Sequence, residues 1–218
     1  MKVASKEFKF ERASVLRDRI QSIKYVLNQV RIGSNVDDVS VSIKKRLEKE
    51  NALNELFTAL ELSETYNKLK KEEKEIKIEC YDISNIQGTN PVGSMVVFVN
   101  GTARNDLYRK FKINRLKTPN DYLMHQEMME RRINKYLKSK DKEETNKYTA
   151  DESFDSLPSL MIIDGGKGQL SSINEILVKY KLTDIPHIGL AKREEEIFYL
   201  KDGEFTRVKL PKKSEALF

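Results

Sequence analysis

Ile76-Lys77-Ile78-Glu79-Cys80-Tyr81-Asp82-Ile83-Ser84 is where the period of this chain changes from helical to strand. Apolar and polar residues alternate through it, the pattern of a strand with one buried face. Gly93–Asn100, containing Ser94-Met95-Val96-Val97-Phe98-Val99, reads as a second strand closed by an Asn100-Gly101 turn. Asp106–Ile113 reads as a third, with Leu107, Arg109, Phe111 and Ile113 on alternate positions. Short connections make the three an antiparallel meander. A later stretch, Leu160-Met161-Ile162-Ile163-Asp164-Gly165-Gly166-Lys167-Gly168-Gln169, repeats the theme of an apolar run that stops on an aspartate. An unpaired carboxylate beside a core costs on the order of several kcal/mol, so something must offset it. Asp82 and Asp164 together point to a shared cation, and a shared cation to metal-assisted chemistry.

Working outward, Pro119-Asn120-Asp121 opens a helix expected to reach about Leu137. Ser139–Ser156 has no apolar period and reads as a mobile loop. Leu160–Ile163 is a fourth strand, Gln169–Tyr180 a helix, and His187–Ala191 a fifth strand. Ile197–Leu200 and Phe205–Lys209 flank Asp202-Gly203, a hairpin signal. The order βββαβαβ is the ribonuclease H-like plan: an α/β fold on a mixed sheet with helices on its faces. Upstream, residues 2–31 carry Phe8, Val15, Leu16, Ile20, Ile23, Val26 and Leu27 at helical spacing. Residues 36–42 have no decisive period, 43–62 read as helix, and 64–75 as a solvated Lys/Glu linker. The expected organisation is a helical segment 1–33, a helical linker 34–75 and a ribonuclease H-like domain 76–218.

Composition fits a soluble chain with one sizeable core. Charged residues make up 34% and hydrophobic ones 39%, too apolar for wholesale disorder. The apolar runs are too short to span a bilayer, and no secretory signal opens the chain. Cys80 is the one cysteine, which excludes an intrachain disulfide and fits a cytoplasmic setting. The net charge of +6 permits a nucleic-acid partner. Its concentrated part is 104–140, where Arg104, Arg109, Lys110, Lys112, Arg115, Lys117, Arg131, Arg132, Lys135, Lys138 and Lys140 face four acids. That zone is either a solvated face or a phosphate-tracking surface.

Several segments carry a family resemblance in order. They are Glu79–Gly88, Tyr108-Arg109-Lys110-Phe111, Asn120-Asp121-Tyr122, Ile163–Gln169 and Ile188–Phe198. Together they resemble the C-terminal nuclease half of the UvrC family of excinuclease proteins. Phe10-Glu11-Arg12-Ala13 and Leu16-Arg17-Asp18-Arg19-Ile20 resemble the UVR motif that precedes it. The resemblance implies a DNA endonuclease of bacterial nucleotide excision repair that makes the 5′ incision beside a lesion. It implies catalytic acids at Asp82, Asp121 and Asp164. It also implies a pairing with the excinuclease protein UvrB through the UVR motif, where Phe10 would enter the partner's surface.

Hard Mg²⁺ or Mn²⁺ wants carboxylate oxygens, and phosphodiester hydrolysis wants such a metal. Asp82 and Asp164 are the expected ligands, with Asp121 reaching in from its helix start or serving as a plain N-cap. Gly165-Gly166-Lys167-Gly168 lacks P-loop spacing. Lys167, Gln169, Lys192 and Arg193 are expected DNA-phosphate contacts, although Gln169 also fits a bland surface role. The resemblance places the family's catalytic histidine past Leu210–Leu217, so His125 and His187 are assigned no catalytic role and the site is expected to be incomplete. The family's helix-hairpin-helix module and its GIY-YIG nuclease are likewise missing, which reads as an interior fragment. The alternatives are a non-catalytic partner-binding scaffold and a ribonuclease acting on RNA–DNA hybrids.

Overall fold

The computed structural model describes residues 36–84, 91–113, 121–142, 151–191, 196–201 and 203–210. The helical reading of 2–31, the UVR stretch with Phe10, and Lys192 and Arg193 lie outside them. The chain divides into two compact units, one ending at Glu48 and one beginning at Lys49.

The elements are α1 (Val36–Ala59), α2 (Ser63–Lys71), β1 (Lys77–Ser84), β2 (Val92–Val99), β3 (Thr102–Ala103), β4 (Arg109–Lys112), α3 (Asp121–Lys142), β5 (Leu160–Asp164), α4 (Lys167–Lys179), β6 (His187–Ala191), β7 (Glu196–Lys201) and β8 (Glu204–Lys209). They form one mixed sheet in the order β3-β2-β1-β5-β6-β7-β8, with β4 also on β2. β1, β5 and β6 run parallel, and the other pairings are antiparallel. This is the α/β, ribonuclease H-like mixed sheet that the sequence order implies.

Alternation along the strands divides the core between two faces. Tyr81, Met95, Val97, Phe111, Met161 and Ile163 pack beneath α3 and α4, which contribute Met124, Met128, Ile133, Leu170, Ile173 and Leu177. Ile78, Leu160, Ile188, Ile197 and Tyr199 pack on the other face with Leu53, Phe57, Leu60 and Tyr66. Fully burying such side chains contributes about 1.5–3 kcal/mol each, so two filled faces fix the strand register. The turn Asn100-Gly101 has φ of 49° and 71°, the left-handed pair that a two-residue hairpin needs. Asn100 also accepts from the Ile76 N–H at 3.0 Å and donates its own N–H to the Ile76 carbonyl at 3.0 Å, which pins the start of β1.

Four local readings change. The third strand, expected over Asp106–Ile113, is cut to β4, because Asn105–Leu107 form a 3₁₀ turn that buries Leu107. Residues 64–71 of the expected solvated linker 64–75 belong to α2, because Tyr66 turns inward onto Phe57 at 5.6 Å between ring centroids. Helix α1 starts at Val36 and takes in the ambiguous stretch. In the described part of 139–156, α3 continues to Lys142 and a 3₁₀ turn, Glu152–Phe154, buries Phe154 against Phe111.

Candidate active site

Strand β1 carries two acids three residues apart with opposite surroundings. Glu79 is fully buried and paired. Arg132 of α3 reaches it with Nε at 2.9 Å and Nη2 at 2.7 Å, Lys77 sits 3.0 Å away, and the Tyr81 hydroxyl donates to it. Burial opposes the Glu79 charge, but the Arg132 charge and hydrogen bonds, with Lys77, hold its carboxyl below the ordinary value. Arg132 also donates to the Ser156 carbonyl at 2.7 Å, and Lys77 to that of Ser153 at 2.9 Å. The knot ties α3 and the 153–156 turn to β1. Cys80 beside it is pushed up to about 12 by burial and by Glu79, so its thiol is inert.

Asp82 has a different shell. It is half-buried, and its carboxylate accepts only from the Ser84 hydroxyl, at 3.2 Å, among the described hydrogen bonds. The parallel register pairs Tyr81 with Ile163, so the next rung sets Asp82 beside Asp164. Neighbouring strands lie about 4.8 Å apart, and both aspartates follow residues that face the same side of the sheet. Two carboxylates are therefore held as neighbours at the C-terminal ends of two parallel strands, where ligands of open α/β sheets collect.

Asp121 is the first residue of α3 and is exposed. The next residue, Tyr122, lies against Gly168 so closely that a Cβ there would strike its ring. Gly168 is in the first turn of α4, directly after the Asp164 strand end. The N-termini of α3 and α4 thus meet beside the strand-end aspartates. Gly165, with φ of 152°, makes the turn, and its N–H donates to the Leu190 carbonyl at 3.1 Å. Gly189 lacks the Cβ that would meet the Gly165 carbonyl at 2.8 Å, which lets β6 lie tight against this loop.

His125 is the next polar residue on this face of α3. It is 4% exposed and one turn after Asp121, and its Nδ1 lies 2.7 Å from the Asp121 carbonyl. Burial lowers its pKa, against the charges of Asp121, Asp82 and Asp164, all of which act on the ring. The Asp121/His125 spacing of four puts both on one helix face.

Of the expected phosphate contacts, Lys167 stands exposed at the α4 N-terminus, over Phe198 at 5.5 Å and Phe205 at 5.8 Å. Gln169 spends its carbonyl on the Gly166 N–H at 3.2 Å, so its amide N–H₂ is the group left for a phosphate. A further cationic feature lies two strands from Asp82. The rung Asp82–Ser94–Lys110 crosses β1, β2 and β4. Lys110, Lys112, Arg131, Lys135 and Lys138 then line a cleft of about 340 Å³ around Phe111.

Oxygen-rich donors at two adjacent strand ends, a third acid on a helix start and a buried imidazole suit a divalent cation in kind. Among the described residues, no three His, Cys, Asp or Glu side chains already meet at ligand distance.

The family described as UvrC RNAse H endonuclease domain matches residues 66–218, well over half of the chain. The chain belongs to this family. The UvrB/uvrC motif matches residues 1–26 ahead of the UvrC domain. UvrABC system protein C of Dehalococcoides mccartyi is 46% identical over 167 residues, 77% of this chain and 23% of that protein. Its Clostridium perfringens counterpart is 38% identical over 170 residues, 78% of this chain and 26% of that protein. The chain therefore spans about a quarter of the length of these curated relatives. A structure of Ciona intestinalis endonuclease V in complex with DNA is similar at a TM-score of 0.34 and 13% identity, covering 59% of this chain and 56% of that one. Among the described residues, no helix of the UvrC domain is long and apolar enough to cross a membrane.

Proposed function

We propose that this chain is a metal-dependent DNA endonuclease module of nucleotide excision repair, making the 5′ incision beside a lesion in the cytoplasm. Asp82 and Asp164 would hold Mg²⁺ or Mn²⁺, Asp121 acts as the third acid, and the scissile phosphate lies between them and Lys167. When bound, the metal supplies charge neutralisation on the phosphate and a nucleophilic hydroxide at neutral pH. The protein's part is positional. The shared rung of β1 and β5 fixes two carboxylates, the Tyr122–Gly168 contact fixes the third, and the α4 N-terminus with Lys167 favours an anion. Lys192 and Arg193 extend that anion site, and the cleft around Phe111 is a second phosphate contact on double-stranded DNA. Residues 1–33, with Phe10, dock UvrB, and 34–75 link them to the nuclease body 76–218.

The adjacency of Asp82 and Asp164 carries this reading, because two like charges held on neighbouring strand ends are most stable around a shared cation. Calorimetric titration with Mn²⁺ tests it: the wild-type binding heat should vanish in Asp82→Asn, and an unchanged heat would sink the ligand assignment. Lys110→Gln/Lys138→Gln should lower the salt dependence of duplex binding by about one to two ion equivalents. A nicking assay on lesion-bearing duplex then reports activity directly.

A second reading, a non-catalytic scaffold that recruits UvrB, draws on the described carboxylates not being gathered at ligand distance. It requires metal-independent DNA binding and no nicking at any Mn²⁺ concentration.

A further inference from the structure

The β7–β8 hairpin carries an aromatic feature that the nuclease reading leaves unused. Phe205 is 38% exposed, and among the described residues every other exposed large hydrophobic side chain lies on a helix. β8 is the outer strand of the sheet. A bare apolar side chain on such an edge invites unwanted strand pairing. Here it stands among cations instead.

Directly opposed residues of an antiparallel pair share a face. Leu200 opposes Phe205, Phe198 opposes Arg207 and Glu196 opposes Lys209. Phe198 packs with the core beneath α3 and α4, so this is the face on which α4 lies. Ile197, Tyr199 and Val208 take the other side. Lys167 of α4 sits over both rings, 5.5 Å from the Phe198 centroid and 5.8 Å from that of Phe205. Along β8, Phe205, Arg207 and Lys209 are exposed at every second residue, about 7 Å apart. Among the described residues, Glu196 is the one acid on this face of the hairpin. It is buried and accepts from Arg207 Nη1 at 3.0 Å, while the Arg207 side chain stays 65% exposed. What the face offers outward is a ring and three cations.

We infer that Phe205 is a stacking platform for an unpaired base of single-stranded DNA, with Lys167, Arg207 and Lys209 tracking the phosphates beside it. The inference rests on the DNA reading above but needs no metal. Aromatic rings set in a cationic track hold single strands without sequence preference, because every base has a π-face. A duplex keeps its bases stacked on one another, so the ring discriminates against it. The row also has a direction. Asp164 pairs with Leu190, and the next rung runs from Ala191 through Glu196 to Lys209. The cations therefore begin level with the end of β5 and lead back along β8 to Phe205.

The chain has no tryptophan, so Phe205→Trp places a single fluorescent reporter at the platform. Its emission should fall when oligothymidylate is added to the full chain, and hold steady with an abasic oligomer of equal charge. By fluorescence anisotropy, Phe205→Leu should weaken oligothymidylate binding about tenfold and leave abasic-oligomer and duplex binding within about twofold. Leucine keeps the apolar bulk, so the comparison isolates the ring. Lys209→Gln should weaken both oligomers and lower the salt slope of their binding by about one. Oligothymidylate that binds without dimming the reporter would overturn the platform alone, as would equal losses of both oligomers in Phe205→Leu. A dimer of the chain that dissociates in Phe205→Leu with DNA binding intact would give the face to a second copy and overturn it too. No binding of oligomer or duplex by wild type would overturn it together with the DNA reading.

Discussion

Glu79 and Asp82 stand on one strand, three residues apart, and the molecule treats them in opposite ways. Glu79 is surrounded by its own chain's cations, with two hydrogen bonds from Arg132, the Lys77 ammonium at 3.0 Å and the Tyr81 hydroxyl. Asp82 receives a serine hydroxyl and lies beside another carboxylate on the neighbouring strand. A protein that needs a charge only to hold its fold supplies the counter-charge itself. In the proposed reading, carboxylates set side by side at strand ends instead take a cation that comes from outside.

The hardest blow to that contrast falls on the knot. Arg132→Met leaves buried Glu79 with only Lys77 and the Tyr81 hydroxyl of its described partners and should cost about 3–5 kcal/mol, read as a lower urea midpoint. Adding Glu79→Gln should recover about half of the loss or more, because the stranded charge goes with it. If Arg132→Met is harmless, the two carboxylates on β1 are not different in kind.

Next comes the joint that brings Asp121 to the strand ends. A Cβ at Gly168 meets the Tyr122 ring. Gly168→Ala should therefore displace the α3 N-terminus, costing about 1–3 kcal/mol as overpacking does. It should weaken Mn²⁺ binding without touching Asp82 or Asp164. Unchanged stability and unchanged binding together would mean that the two helix starts are not coupled.

A smaller effect separates the two regions by pH. Burial lowers the pKa of His187 and His125, so both are neutral in the fold and protonate more readily when unfolded. Stability is then full above the ordinary histidine value near 6.5 and falls as pH drops below it, by about 1.4 kcal/mol per unit per group until the folded pKa is reached. Glu79 is also lowered, but from a carboxylate value, so its contribution holds above about pH 4.3 and is lost as pH falls through its folded pKa. Urea midpoints should show two separate declines, one starting near pH 6.5 and one below about 4.3. His187→Gln should shrink only the first, and Arg132→Met should flatten only the second.

The strands and their aspartates were legible because alternation and a run-stopping acid are local signals. β1, β5 and β6 differ from the sequence reading by about one residue at most. The chain order of elements was enough for the sheet plan. The knot was not legible, since Glu79 and Arg132 are 53 residues apart and nothing local distinguishes Arg132 from Arg131 beside it. Helix α2 was missed because Lys and Glu swamp a stripe made of only Tyr66 and Leu69, whose value appears once Phe57 is there to meet them. The burial of His125 was not legible for a similar reason, since it comes from how α3 packs.

The smallest expected effect is also the sharpest. Asp82→Asn keeps the size and the hydrogen-bond acceptor for Ser84 while deleting one of two neighbouring like charges. In metal-free buffer it should leave stability within about 0.5 kcal/mol of wild type, or raise it slightly, as substitutions do where no native interaction is lost. With saturating Mn²⁺ the order should reverse, because only wild type gains the ligand-linked stabilisation, about 2.7 kcal/mol at a hundredfold excess over the dissociation constant. A charge that is neutral or costly alone and stabilising with a cation is a binding charge. One that costs several kcal/mol in either buffer belongs with Glu79, and the division drawn along β1 would not stand.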